Sequence, residues 1–113
     1  MLRKIECFIQ PTKLDEIKDA LFEEGVDGMS ISEVKGFGKQ RGYSNGGKIN
    51  RQVKFLTKIK LEIVVEEEIV DSVINKIVRL VKTDKIGSGK IFVIPVEDAI
   101  RIRTEESGKS AIL

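Results

Sequence analysis

An α+β fold with element order β-α-β-β-α-β is predicted for this chain of 113 residues by three observations. Four segments alternate apolar and polar residues with period two, two segments carry apolar stripes at helical spacing, and the segments interleave as two β-α-β halves. That order is the ferredoxin-like split βαβ arrangement, an antiparallel sheet with both helices on one face.

Leu2 to Ile9 supplies the first strand, with Ile5, Cys7 and Ile9 on one face and Glu6 and Phe8 on the other. Pro11 ends it. Thr12-Lys13-Leu14-Asp15 reads as an N-cap followed by an acidic residue at the third position. Leu14, Ile17, Ala20 and Leu21 fall at helical spacing, and Gly25 is placed to close a helix from about 13 to 24. Gly28 to Val34 alternates as the second strand, and Lys58 to Val65 as the third, with Ile59, Leu61, Ile63 and Val65 inward.

Glu66-Glu67-Glu68 puts negative charge at the first turn of the second helix, where the macrodipole favours it. Its buried stripe is Ile69, Val70, Val73, Ile74, Ile77, Val78 and Val81. The fourth strand is Ile91 to Val96, after which Arg101-Ile102-Arg103 is expected to be extended, with both arginines on one side. Residues 105–113 read as a weakly ordered tail. Apolar residues on both faces of the first and last strands, Phe8 with Ile9 and Phe92 with Val93, predict cover by other subunits.

Between the second and third strands, residues 36–57 hold five glycines, at 36, 38, 42, 46 and 47, and little periodicity. A hairpin needs only ~2–5 connecting residues, so a segment this long is expected to be a flexible loop that carries function. From Val34 to Leu61 there are eight basic residues and no acidic one: Lys35, Lys39, Arg41, Lys48, Arg51, Lys54, Lys58 and Lys60. Of the 20 basic residues, 12 remain elsewhere against all 18 acidic ones. The chain is an acidic body with a basic segment suited to an anionic partner, although solubility accounts for many charge runs.

Composition excludes several functions. A hydrophobic fraction of 41% and a charged fraction of 34% describe a globular single domain. No apolar run approaches the ~20 residues of a membrane helix, and Met1-Leu2-Arg3-Lys4 leads into no signal-peptide core, so a cytoplasmic protein without membrane insertion is expected. With no histidine and a single cysteine, a zinc site and Ser-His or Cys-His nucleophile pairs are not expected. Cys7 reads as a small buried hydrophobe.

The stretch from Thr83 to Pro95 carries the chemistry. Gly87, Ser88, Gly89 and Lys90 run straight into an apolar strand, and glycines there let backbone N–H groups approach an anion, with Lys85 and Lys90 adding charge. A plain helix-to-strand turn also favours glycine. It is no Walker A loop, since Lys90 is followed by Ile91 and a strand. Arg101 and Arg103 suit a phosphate chain, or else salt bridges to the acidic body. No carboxylate or histidine stands beside the turn to position a hydrolytic water, so no enzyme is expected.

The run from Thr83 to Val96 with Arg101-Ile102-Arg103-Thr104 resembles the C-terminal signature of the PII nitrogen-regulatory signal-transduction proteins. Pro11 with Lys13-Leu14-Asp15, Gly28-Met29, Glu33-Val34-Lys35-Gly36-Phe37-Gly38, Gln40 and Lys58 resemble that family's N-terminal half, so the likeness spans nearly the whole chain outside residues 43–54. The resemblance implies a homotrimer with ATP and ADP competing in clefts between subunits, and 2-oxoglutarate binding with Mg-ATP at the base of the long loop. It implies that Gly87, Ser88, Gly89 and Lys90 hold phosphates together with Arg101 and Arg103. Val64 and the backbone near Glu62 would lie along the adenine, Gly28, Met29 and Ser30 would come from a neighbouring subunit, and Gly38 and Lys39 would line the same site. Gln40 would reach magnesium and the keto acid, and Lys58 would pair with a carboxylate. The implied partners are an ammonium channel, glutamine synthetase or another nitrogen-metabolism protein.

Several residues depart from the family's pattern. Ser88 stands where aspartate is common, Lys39 where arginine is usual and Ser30 where threonine is usual. The family's Tyr-Arg-Gly-x-x-Tyr is absent, and Tyr43, the only tyrosine, sits too early in the loop, so no tyrosine nucleotidylylation is expected. Lys35-Gly36-Phe37-Gly38 also resembles the opening of the RNA-recognition motif, which shares the element order, and RNA binding through the basic loop is the alternative. That signature does not continue, aromatics make up only 5% of the chain, and no nucleic-acid partner is expected.

Overall fold

The computed structural model describes residues 1–37, 55–83 and 87–113. Strand β1 runs Leu2–Ile9, α1 Leu14–Glu23, β2 Ser30–Gly36, β3 Leu56–Glu66, α2 Val70–Val81, β4 Lys90–Val96 and α3 Lys109–Ile112. The sheet order is β2-β3-β1-β4, with every neighbouring pair antiparallel. This is the ferredoxin-like α+β fold that the strand and helix periodicities predict.

Alternation along β1 and β3 divides the sheet into a buried and an open face. Ile5, Cys7 and Ile9 of β1 stand opposite Ile63, Leu61 and Ile59 of β3, and all six are buried with Ile17 and Leu21 of α1 and Val73 and Ile77 of α2. Both helices therefore cover the same face. The other face presents a ladder of alternating charge, in which Lys4 pairs with Glu62 and Lys60 reaches Glu6 at 3.1 Å and Glu62 at 3.6 Å. Beside it Phe8 and Phe92 meet edge-to-face, ring centroids 6.0 Å apart. Edge strand β4 is only partly covered: Ile91 packs on the core, whereas Phe92, Val93 and Ile94 are all exposed.

Helix α1 ends as its sequence predicts and begins differently. Gly25 takes a positive φ, its N–H donates to the Phe22 carbonyl, and the Val26 N–H donates to Leu21, which is a Schellman closure with Val26 and Leu21 both buried. At the start, Pro11–Lys13 forms a 3-10 turn, and Thr12 is not the N-cap: the flanking Lys13 already has helical dihedrals and makes no side-chain cap. Proline's fixed φ suits the first position of such a turn and moves the entry one step along. Helix α2 likewise follows a 3-10 turn, Glu67–Ile69. Its stripe is buried at Val70, Val73, Ile77 and Val81, whereas Val78 is exposed because it falls beside the stripe.

Three further expectations change. Strand β2 starts at Ser30, so Gly28 and Met29 lead into it, and Gly36 still pairs with Leu56, which takes both ends of the 36–57 segment into the sheet. Residues 38–54, with most of the expected flexible loop, lie outside the described residues. Arg101-Ile102-Arg103 is a turn and not an extended strand: the Glu105 N–H donates to the Arg101 carbonyl and the Arg101 N–H to Glu106. Residues 105–113, expected as a weakly ordered tail, fold back through an Ile100–Ser107 bridge, the Asp98 carboxylate accepts the Gly108 N–H, and α3 follows.

Candidate functional site

The glycine turn sits where β4 begins, against the far ends of β1 and β3. Gly87 and Gly89 both have positive φ, +101° and +124°. A Cβ on Gly89 would collide with the Phe8 carbonyl oxygen, so the backbone of the turn lies directly on β1. Only glycine permits both the dihedral and the approach.

Two donors hold the turn from the sheet. Gln10 Nε2 donates to the Gly87 carbonyl oxygen at 3.2 Å and Lys58 Nζ donates to the same oxygen at 3.4 Å. Burial holds the Lys58 ammonium below its ordinary pKa. On the outer side the Ser88 hydroxyl accepts the Thr83 N–H at 3.1 Å and donates to the Thr83 carbonyl at 3.2 Å. A serine in this position braces the turn without bringing a negative charge to it. Lys90 opens β4 opposite Phe8 with its side chain exposed. Exposed charge beside glycine backbone in this geometry can receive an anion.

Glu62 and Val64 lie on the open face of β3, in the same row as Lys58 and Lys60, and Ser30 pairs with Glu62 across the β2–β3 ladder. The hydrogen bond from Lys4, with the charges of Lys4 and Lys60, holds the Glu62 carboxyl below its usual range. Gly28 and Met29 precede Ser30 at the entry to β2, where Met29 packs on the core. Gly38, Lys39, Gln40 and Lys85 lie outside the described residues.

Arg101 and Arg103 belong to the opposite end of the sheet. Lys109 of α3 reaches Glu66 at 3.3 Å, at the end of β3 remote from Lys58, and Arg101 bonds to the Leu113 main-chain oxygen of the same C-terminal segment. Eight strand steps separate Glu66 from Lys58, roughly 25 Å at ~3.3 Å each. Arg101 also pairs with Glu106 at 3.2 Å, while Arg103 is exposed. One chain by itself does not bring the arginines to the glycine turn.

Sequence reasoning missed Gln10 and Thr83. Gln10 follows a strand and precedes a proline, which signals a turn, and no local pattern ties it to a carbonyl 77 residues away. Thr83 opens the signature, and nothing in its local sequence marks it as the partner of Ser88.

Comparison with known proteins decides the family. A model of the family described as nitrogen regulatory protein P-II matches residues 2–106. The chain is 49% identical over 112 residues to the nitrogen regulatory protein P-II of Cereibacter sphaeroides, covering 98% of this chain and all of the relative.

The chain belongs to the P-II family.

Nitrogen regulatory protein P-II 1 of Escherichia coli K12 is 47% identical with the same coverage. Among solved structures, Arabidopsis thaliana PII bound to citrate superposes with a TM-score of 0.80 at 39% identity, covering 98% of this chain and 89% of that one. This P-II chain shows no helix long and apolar enough to cross a membrane among its described residues. Nor, among them, does any group of acidic, histidine or cysteine side chains stand ready to hold a metal ion.

Proposed function

We propose that this P-II protein is a sensor that binds ATP or ADP at the glycine turn, admits 2-oxoglutarate together with Mg-ATP, and regulates nitrogen-metabolism targets through residues 36–57. The observation that carries the reading is the turn itself, with Gly87 and Gly89 at positive φ, Gly89 lying on the Phe8 main chain and Lys90 exposed beside them. These residues fit a phosphate chain, which asks for close backbone N–H groups and unopposed positive charge.

The position of the arginines supports a site shared between subunits. Arg101 and Arg103 lie at the end of the sheet away from the turn, so one subunit's Gly87–Lys90 meets another subunit's arginines in a homotrimer. The partly covered β4 and the apolar residues on the open face supply surface for that assembly. Glu62 and Val64 line the adenine side, with Gly28, Met29 and Ser30 across the cleft. The ATP phosphates bring magnesium, and Gln40 completes its shell; Lys58 offers its ammonium to a carboxylate of the keto acid.

No chemistry on substrate is involved. Ligands that favour different arrangements of residues 36–57 shift which partner binds there, whether an ammonium channel, glutamine synthetase or another nitrogen-metabolism protein. Gln40, Lys39 and Gly38 lie in that segment, which links ligand to output directly. RNA binding is less well supported: Phe37 stands past the end of β2, against Phe55 with ring centroids 5.7 Å apart, and not within a strand as the RNA-recognition signature asks.

Calorimetric titration of ATP and of ADP tests the reading, with Lys90→Gln and Arg103→Ala as variants and sedimentation to give the subunit number. Both nucleotides should bind a trimer, and each variant should weaken ATP about tenfold or more, since each removes a charged partner of phosphate. A wild-type protein that binds neither nucleotide overturns the proposal.

A further inference from the structure

We propose that residues 105–113 form a latch on Arg101: the Glu106 carboxylate holds the guanidinium and yields it only to a polyphosphate that competes for it. Glu106 then sets how tightly the nucleotide binds, a role that rests on the phosphate reading of Arg101 given above.

Arg101 is tied to this segment by main chain and side chain alike. Its N–H donates to the Glu106 carbonyl at 2.9 Å, and its own carbonyl accepts the Glu105 N–H at 2.8 Å. The side chain gives Nη1 to the Glu106 carboxylate at 3.2 Å and Nη2 to the Leu113 main-chain oxygen. A guanidinium binds phosphate best with two parallel N–H groups as a fork, and here both terminal nitrogens already donate. The carboxylate beside them also repels an arriving phosphate. Arg103, two residues on, is exposed and takes part in no ion pair among the described residues. The two arginines therefore start from different states, Arg103 open to an anion and Arg101 occupied.

The latch is anchored so that it opens locally. The Ile100–Ser107 bridge, the Asp98 carboxylate on the Gly108 N–H at 3.1 Å and Lys109 on Glu66 at 3.3 Å hold the segment to the body without the Arg101 side chain. Glu105 stands between these anchors and Arg101 with φ +60°, a dihedral uncommon outside glycine that persists only where its surroundings hold it. The ion pair itself is weak enough to exchange. The Arg101 and Glu106 side chains are 30% and 44% exposed, so solvent screens their attraction and a multiply charged ligand outcompetes one carboxylate.

ATP affinity is measured calorimetrically for the wild type, Glu105→Gln, Glu106→Gln, Arg101→Gln and Arg101→Gln combined with each glutamate variant. Glu105 takes part in no ion pair among the described residues, so Glu105→Gln gauges what the loss of one nearby negative charge does by itself. Glu106→Gln should tighten ATP by about two- to fivefold beyond Glu105→Gln, the worth of one exposed ion pair. With Arg101→Gln in place that excess should vanish. An excess that survives without Arg101, or a Glu106→Gln gain no larger than that of Glu105→Gln, overturns the latch. Weaker ATP binding by Glu106→Gln overturns it too, since Glu106 would then orient Arg101 for the phosphate. Should Arg101→Gln fail to fold, the comparison of Glu105→Gln with Glu106→Gln still decides. A wild type that binds no ATP defeats the phosphate reading, and the latch with it, before any variant is compared.

Discussion

Gly89 lies on the main chain of Phe8 so closely that a Cβ at Gly89 would overlap the Phe8 carbonyl oxygen, and its φ of +124° is one that side-chain-bearing residues rarely adopt. Neither obstacle can relax, since one is backbone on a paired strand and the other is the residue's own dihedral. Gly89→Ala should therefore destabilise the protein by about 2 kcal/mol or more. Scanning calorimetry should show the melting temperature lowered by roughly 5 °C or more. A melt unchanged from wild type would mean that the turn does not rest on β1.

The apolar face of α2 gives a paired test. Ile77 is fully buried between the sheet and α1, whereas Val78 keeps 38% of its surface exposed. Ile77→Ala should cost about 2–5 kcal/mol, the range for truncating a large core side chain. Val78→Ala should cost less than about 1 kcal/mol. Denaturant titrations decide it, and equal losses at the two positions would contradict the assignment of the buried stripe.

Period-two alternation placed the buried face of β1 and β3 at the right residues because one side of each strand is covered wholly by this chain's own helices. The same rule was less informative at β4, where Phe92, Val93 and Ile94 are exposed on both faces and the pattern reflects surface that the chain alone does not cover. Arg101 to Arg103 looked extended from spacing, yet hydrogen bonds to Glu105 and Glu106 close a turn there. Those partners follow in sequence without any glycine or proline to announce them. The glycine turn itself was legible, since Gly87 and Gly89 have no substitute at their φ values. Its supports were not, because Gln10 and Lys58 reach Gly87 only after the sheet is assembled.

The charge ladder on the open face predicts a pH dependence. Bonding from Lys4 depresses the Glu62 carboxyl, and a depressed carboxyl stabilises the fold above its unfolded value, near 4.3, and loses that contribution as the pH falls through the folded value. Lys60, raised by its bond to Glu6, stabilises below its unfolded value and loses the contribution as the pH rises through the folded one. Wild type should melt above Glu62→Gln at neutral pH, and the gap should close as the carboxyl is protonated in acid. A gap that stays constant down to about pH 3 would show that the ladder's charges do not act through Glu62.

Cys7 is fully buried at the centre of β1, and burial pushes its thiol up to about 11. It should resist iodoacetamide in the native protein at about pH 8, where an exposed thiol reacts, and be alkylated once the protein is unfolded in guanidinium. Mass spectrometry of the intact chain reads this directly. Rapid native labelling would place Cys7 outside the core.

Calorimetric titration of 2-oxoglutarate into the protein alone, with ADP, and with ATP plus magnesium tests the sensor reading most directly. Binding is expected only with Mg-ATP, and Lys58→Gln should abolish it while nucleotide binding survives. Binding of 2-oxoglutarate with equal strength in all three conditions, or in none, would contradict the account of a nucleotide-gated sensor.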